Sequence, residues 1–227
     1  MIHCAENRLS VYADNNRHLI SVSLACLALA GGNIAFLVAI GEGHVPSCFP
    51  YIEGCASISA GGRHGTAYWV FKLTIIPSMI LLFMYWLLTY HIVVSSNRSR
   101  SRIPKAMLTA GIIGAVFGVL YAMFLGSDGD TYKLLRRIGI YFFFLGTFSG
   151  QVLEILLTRV QLGIRQERFK PFLLALIIVV LLVCVPFYGF VEDDDVLENV
   201  LEWNLTLLIY LFFVDTKRFR NKNGFVL

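Results

Sequence analysis

This chain has little charge and none of the common catalytic motifs. Of its 227 residues only 15% are Asp, Glu, Lys or Arg, whereas 57% are hydrophobic, and the mean hydropathy is +0.69. A soluble fold is excluded because so few polar side chains cannot cover the surface of a folded chain of this length. The sequence also lacks a Gly-x-Ser-x-Gly elbow, a His-Glu-x-x-His pair and a glycine-rich phosphate loop. We therefore expect no cofactor, no metal ion and no nucleic-acid partner.

Cysteine is also scarce, with five residues, and only Cys48 and Cys55 share one loop. Six residues lie between them, including a proline and a glycine that can turn the chain. The two Cα atoms can therefore approach disulfide distance. The alternative is a pair of free thiols that face a reducing compartment. A metal site is less favoured, because His44 and His64 have no ligand-like spacing to this pair.

Six long apolar stretches make up most of the chain and predict membrane-spanning helices. A helix rises about 1.5 Å per residue, so about 20 apolar residues cross a hydrocarbon core of about 30 Å. The predicted spans are residues 18–40, 67–94, 106–125, 138–158, 171–190 and 197–214. The sequence therefore predicts an all-α, polytopic membrane protein. We expect a single domain, 1–227, in which six transmembrane helices form one bundle and residues 41–66 form a long outer loop.

Basic residues in the connecting segments predict the orientation in the membrane. They concentrate after the second, fourth and sixth spans, which places them on one side, and the positive-inside rule makes that side cytoplasmic. Both termini are therefore expected in the cytoplasm, in a plasma or inner membrane or an endomembrane. The basic residues concerned are Arg98, Arg100, Arg102, Lys105, Arg159, Arg165, Arg168, Lys170, Lys217, Arg218, Arg220 and Lys222.

The first apolar stretch raises the question of a cleaved signal peptide. Residues 28–30, Ala-Leu-Ala, are similar to the small-residue site at which such peptides are cut. However, apolar side chains continue to Ile40, and a long polar segment precedes the stretch. We therefore expect the stretch to be retained as a transmembrane helix.

Three polar side chains fall inside the predicted spans near their outer ends: Asn33, Lys72 and Glu202. A charged group at membrane depth is costly and is therefore usually paired or functional. Lys72 and Glu202 lie at matched depth, which favours a pair, and Asn33 can join it below Arg63 of the outer loop. One interpretation is a polar pocket that holds a lipid headgroup. The alternative is a structural ion pair, with Lys72 extended towards the headgroup layer.

The outer loop carries apolar and aromatic side chains that a solvated linker would not need. Residues 48–52, Cys-Phe-Pro-Tyr-Ile, are expected to lie on the bundle or in the headgroup layer, where tyrosine is favoured. They can equally cap a cavity between the helices. The sequence does not distinguish a lid from a plug.

A second polar group lies near the cytoplasmic ends of the spans. Glu154 and Thr158 are four residues apart and share a helix face. One interpretation is a proton relay. The more favoured alternative is interfacial anchoring together with a hydrogen bond between helices. The other residues of this group are Tyr90, His91, Gln151 and Asp215.

Short segments throughout the chain resemble one family. Residues 49–53, Phe-Pro-Tyr-Ile-Glu, are similar to its Pro-x-Ile-Ser segment, with Glu53 at the serine position. Residues 63–86 resemble its second span, and residues 202–215, which begin Glu-Trp and end Phe-Val-Asp, resemble its closing span. With six spans and a long first outer loop, the chain resembles the Frag1/DRAM/Sfk1 family of membrane proteins. The resemblance implies an association with membrane lipid through lipid remodelling, kinase recruitment or modulation of autophagy.

We therefore predict a protein that binds or senses a membrane lipid through a polar pocket facing the outer leaflet. The expected pocket residues are Asn33, Arg63, Lys72 and Glu202.

Two alternatives to a lipid-binding protein are an enzyme that uses the same pocket residues and a scaffold that uses the cytoplasmic face. An intramembrane lipid hydrolase or acyltransferase would use Glu202 as general base and Lys72 or Arg63 to stabilise an oxyanion. A membrane scaffold would instead recruit a cytoplasmic protein partner through the basic residues Arg98, Arg100, Arg102 and Lys105.

Overall fold

The computed structural model describes residues 2–96, 102–161, 169–187 and 194–214, which are almost entirely helical. Within these residues the α-helices are α1 (Ile2–Gly41), α2 (Pro50–Glu53), α3 (Ile58–Gly61), α4 (Gly65–Ser96), α5 (Ile103–Phe124), α6 (Asp130–Leu156), α7 (Phe169–Phe187) and α8 (Asp194–Val214). A π-helical turn, Leu157–Gln161, extends α6. The predicted all-α class is therefore correct for the part of the chain that the structure describes.

Five helices are long and apolar enough to cross a membrane, as expected of a multi-pass membrane protein. They coincide with five of the six predicted spans and cover Asn16–Gly41, Gly65–Val94, Ile103–Phe124, Asp130–Arg159 and Asp195–Val214. The remaining predicted span, 171–190, falls on α7. The apolar part recognised there, Phe169–Leu182, is shorter, and residues 188–190 lie outside the described residues.

The six long helices form a ring in the order α1, α4, α5, α6, α7, α8. The helix α1 packs between α4 and α8, α5 packs between α4 and α6, and α7 contacts both α6 and α8. Glycines allow α5 and α6 to approach closely, because a Cβ atom on Gly146 would lie 2.6 Å from the backbone nitrogen of Gly114. Such close approach at glycines is typical of small-residue interfaces between transmembrane helices.

One half of the ring interior is filled by aromatic side chains. Tyr85 and Trp86 of α4 are completely buried. Their rings make edge-to-face contacts with Phe213 of α8, with centroids 5.0 and 6.0 Å away. Glycines on α5 and α6 make room for Trp86, because a Cβ atom on Gly111 or Gly150 would collide with its indole. Open space remains in the other half of the interior, at the end of the bundle where residues 42–64 connect α1 to α4. We call that end the loop end.

Candidate functional site

A cleft of about 550 Å³, partly open to the outside, lies between the helices at the loop end. Its walls come from α1, α4, α5, α6 and α8, and the segment containing α2 and α3 contributes two side chains. Most of the lining is apolar. The lining residues are Ala28, Leu29, Gly32, Asn33, Tyr51, Ile58, Phe71, Ile75, Met79, Gly118, Tyr121, Ile140, Phe143, Glu202, Trp203, Thr206 and Tyr210.

Residues 42–64 fold over the cleft and are held there by α8. Three side chains of α8 donate hydrogen bonds to backbone carbonyls of this loop: Asn199 to Gly54 (2.8 Å), Trp203 Nε1 to Ala56 (2.9 Å) and Asn204 to Tyr51 (2.8 Å). On the α1 side, Asn33 Nδ2 donates to the Tyr51 hydroxyl over 2.9 Å. Tyr51 and Ile58 line the cleft, so the loop serves as its lid.

A disulfide shapes this lid. Cys48 and Cys55 are bonded, with their Cα atoms 6.4 Å apart, and the closed loop contains α2. Phe49 and Ile52 of the same segment are 56% and 75% exposed. The lid therefore turns Tyr51 towards the cleft and these two apolar side chains away from it.

Gly54 ends α2 in a conformation that few other residues adopt. Its φ angle is +58°, in the left-handed region. A Cβ atom at this position would lie 2.3 Å from the backbone oxygen of Val196 in α8. The absence of a side chain at Gly54 therefore allows the lid to approach the first turn of α8.

Two further polar residues line the cleft, Glu202 of α8 and Tyr121 of α5. Glu202 is half-buried, and its carboxylate lies against the backbone amide of Ile58, within electrostatic range of Arg63. Tyr121 is 7% exposed, and its hydroxyl lies within electrostatic range of Glu202 and near Ser59. This hydroxyl has no hydrogen-bond partner among the described residues that meets normal geometry.

Lys72 does not reach this cleft, so the predicted pair between Lys72 and Glu202 is wrong. The Lys72 ammonium donates to the Tyr68 hydroxyl and, over 2.9 Å, to the backbone oxygen of Met123 near the end of α5. It also lies 4.1 Å from the centroid of the Tyr68 ring. The residues of α4 that line the cleft are Phe71, Ile75 and Met79. Because adjacent helical residues point about 100° apart, Lys72 faces α5 instead.

The four expected pocket residues therefore do not all lie in the cleft. Asn33 and Glu202 line the cleft. Arg63 lies in the segment above it, close enough to Glu202 to interact electrostatically, whereas Lys72 is bound to Tyr68 and α5.

The strongest polar cluster lies at the opposite end of the bundle, around Glu154. This carboxylate is completely buried. Its Oε1 atom is 2.9 Å from Lys170 Nζ and 3.9 Å from Arg17 Nη1, and its Oε2 atom accepts a 2.7 Å hydrogen bond from Tyr85. The cluster joins α1, α4, α6 and α7. Lys170 also lies 4.3 Å from the centroid of the Phe212 ring in α8.

This cluster favours the interpretation of Glu154 as an interhelical contact over a proton relay. Thr158 donates a hydrogen bond to the backbone oxygen of Glu154, and Gln151 donates to that of Ile209. His91 is exposed and its ring contacts that of the adjacent residue in α4. Asp215 lies outside the described residues. Glu154 was predicted from the sequence as part of a polar group, whereas its partners Arg17, Tyr85 and Lys170 were not.

The basic residues expected to bind a cytoplasmic partner are only partly described. Arg102 and Lys105 are exposed at the start of α5, whereas Arg98 and Arg100 lie outside the described residues.

Comparison with protein-family models, curated proteins and solved structures finds no match to this chain. Among the described residues, no group of three or more His, Cys, Asp or Glu side chains is placed to hold a metal ion.

Proposed function

We propose that this protein binds or senses a membrane lipid in the cleft at the loop end. The observation that carries the proposal concerns Gly32 of α1. Gly32 is buried and lines the cleft, yet a Cβ atom built on it would meet no atom within 4 Å. Protein interiors are normally close-packed, so open space beside a buried residue indicates room for a ligand. A mostly apolar lining with a few polar groups is also typical of ligand sites.

The proposal includes the topology that the sequence predicts. With six spans and both termini in the cytoplasm, the loop end would face the outer leaflet. The Cys48–Cys55 disulfide supports that placement, because disulfides persist on the oxidising side of a membrane. The resemblance to the Frag1/DRAM/Sfk1 family is consistent with lipid binding and is part of the same proposal.

Native mass spectrometry of the detergent-purified protein tests the proposal. Gly32→Leu places a side chain in the open space of the cleft, and we expect it to remove a lipid that copurifies with the wild type. Gly41→Leu is the matched control, because Gly41 also has open space around it but lies exposed at the end of α1. An equal lipid load in Gly32→Leu, or no retained lipid in the wild type, would contradict lipid binding in this cleft.

A lipid hydrolase is the second candidate, because Glu202 lines the cleft close to Arg63. Glu202 would act as general base and the Arg63 guanidinium would stabilise the oxyanion. In this case Glu202→Gln should abolish the release of fatty acid while lipid remains bound. If wild type and Glu202→Gln release fatty acid equally from the bound lipid, Glu202 is not the base.

A further inference from the structure

We infer that the ligand of this cleft is an uncharged lipid with one apolar body and a hydroxyl-bearing head, of the monoacylglycerol or sterol class. This inference rests on the proposed lipid site and specifies its occupant.

The deep part of the cleft fits an apolar body. Its walls include Ile75 and Met79 of α4, Gly118 of α5 and Phe143 of α6. Transfer of apolar surface from water into such walls is favourable. The limited volume, about 550 Å³ including its open part, favours one apolar body over the two acyl chains of a phospholipid.

The polar groups that line the cleft select a hydroxyl. Glu202 offers carboxylate oxygens, and Tyr121 offers a buried hydroxyl without a hydrogen-bond partner that meets normal geometry among the described residues. A ligand hydroxyl can donate to Glu202 and accept from Tyr121, because it carries one proton and two lone pairs. A buried hydroxyl without a well-oriented partner is unfavourable, so a ligand hydroxyl beside Tyr121 would stabilise the complex. The Tyr51 hydroxyl and the Asn33 side-chain amide are already hydrogen-bonded to each other.

The charges around the cleft disfavour a phosphate. Among the described lining residues Glu202 is the charged side chain, and no Lys or Arg is among them. Arg63 lies in the segment above the cleft, where Glu202 already offsets its charge. Lys72 is bound to Tyr68 and α5, and Arg136 donates to the backbone oxygens of Phe124 and Ser127. A phosphate inside the cleft would therefore meet the Glu202 carboxylate and would have to compete with it for the nearby cation Arg63, which is unfavourable in an environment of low dielectric constant.

Binding of defined lipids to the full-length protein tests this inference. The purified protein is depleted of lipid and titrated separately with monooleoylglycerol, cholesterol, lysophosphatidylcholine and lysophosphatidylglycerol, and bound lipid is measured by native mass spectrometry. We expect monooleoylglycerol or cholesterol to bind in a manner that Gly32→Leu abolishes. Comparison of monooleoylglycerol with cholesterol shows whether the cleft prefers a flexible or a rigid hydroxyl lipid. Both lysophospholipids should bind at least tenfold more weakly than the preferred one, which corresponds to a difference in binding free energy on the order of 1.4 kcal/mol.

Two single-atom changes make the test specific. Tyr121→Phe removes one buried hydroxyl and should weaken the bound hydroxyl lipid by about tenfold, as expected for one hydrogen bond. Tyr132→Phe is the matched control, because Tyr132 is 41% exposed outside the cleft. Glu202→Gln keeps a hydrogen-bonding side chain but removes the charge, so lysophosphatidylglycerol should bind this variant more tightly than the wild type. Gel filtration and helical circular dichroism identify the variants that fold.

The outcomes separate this inference from the proposed function. Binding of a lysophospholipid that Gly32→Leu abolishes, without binding of either hydroxyl lipid, would overturn the ligand class and leave the lipid site intact. Unchanged affinity of the hydroxyl lipid in folded Tyr121→Phe would also overturn it. If no lipid binds in a manner that depends on Gly32, both the ligand class and the lipid site fail.

Discussion

At the residue scale, Glu154 has the most demanding environment of the described acidic residues. A completely buried carboxylate requires compensation, and Lys170, Arg17 and Tyr85 supply it from three other helices. The desolvation cost of such a cluster often equals its electrostatic gain, so its presence alone does not show high stability. Removal of one partner is different, because buried charges then lose their compensation.

We therefore predict that Glu154→Gln destabilises the protein strongly. The loss should be about 3–5 kcal/mol, because buried Lys170 loses its partner at 2.9 Å. Tyr85→Phe removes only a hydrogen bond to the carboxylate and should cost about 1–3 kcal/mol. Thermal unfolding in detergent, followed by circular dichroism, measures both. Asp128→Asn, an exposed acidic position, controls for loss of charge and should change stability by less than about 0.5 kcal/mol. An effect of Glu154→Gln no larger than this control would contradict the prediction.

Glu42 is a second acidic residue with a defined role, at the loop end next to the start of α4. Its two carboxylate oxygens accept hydrogen bonds from the backbone amide of Thr66 over 3.0 and 3.1 Å. Hydrogen bonds from the Thr66 side chain and backbone, together with the charge of His44, lower the pKa of Glu42 from its ordinary value of 4.5. An anion at this position also interacts favourably with the helix dipole of α4.

This lowered pKa predicts how Glu42 affects stability at different pH values. A carboxylate whose pKa is lower in the folded state stabilises above its unfolded-state pKa, and the stabilisation disappears as the pH falls through the folded-state pKa. The thermal midpoint of the wild type should therefore exceed that of Glu42→Gln at neutral pH. The difference should shrink below pH 4.5 and vanish once Glu42 is protonated. A difference that persists in acid would assign the effect to side-chain shape and not to charge.

At the element scale, the lid depends on a glycine that terminates α2. A side chain at Gly54 would collide with the backbone of α8 and would also strain a left-handed conformation. We predict that Gly54→Ala detaches the lid, so that backbone amides of residues 50–58 exchange hydrogen faster. Gly43→Ala separates the two causes, because Gly43 has a φ of +75° but open space around its Cα. Equal exchange in the two variants would mean that backbone strain, and not contact with α8, controls the lid.

The helices themselves could be predicted from the sequence, but the direction of their side chains could not. Length and apolar composition locate a span without any neighbour, and five predicted spans match apolar helices. The assignment of Lys72 to the cleft used depth alone. Whether a residue at a given depth faces the cleft depends on the rotation of its helix, and α4 turns Phe71 inward instead. Asn33 and Glu202 line the cleft because their helices turn them inward, which depth alone does not predict.

At the scale of the whole molecule, the order of helices in the ring explains why the partners of Glu154 could not be predicted from the sequence. Arg17 and Lys170 flank apolar stretches, where basic residues are common for reasons of topology. Both side chains are buried, at 1% and 4% exposure, because α1, α6 and α7 converge on Glu154. No periodicity in one chain records which helices meet. The only sequence signal was Glu154 itself, an acidic residue inside an apolar span.

The position of α7 in this ring makes the number of membrane crossings testable. Cysteines are introduced singly at positions 102, 128 and 222, in a variant in which Cys4, Cys26 and Cys184 are alanine. They are labelled with a membrane-impermeant maleimide in sealed membranes of known orientation. We expect Asp128→Cys to react from the outer side, and Arg102→Cys and Lys222→Cys to react only after permeabilisation. The helix α5 lies between the first two positions, whereas α6, α7 and α8 lie between the last two.

Position 222 is decisive because the side of the membrane on which it lies depends on the number of crossings after position 128. An odd number of crossings places it on the opposite side from position 128. If α6, α7 and α8 all cross, position 222 lies on the same side as position 102. If α7 does not cross, only two crossings follow position 128, and position 222 becomes accessible from the outer side. That result would contradict the six-span topology while leaving the cleft unchanged, because none of the α7 side chains that the structure describes lines it. Reaction of position 102, but not 128, from the outer side would invert the orientation and place the lid and its disulfide in the cytoplasm.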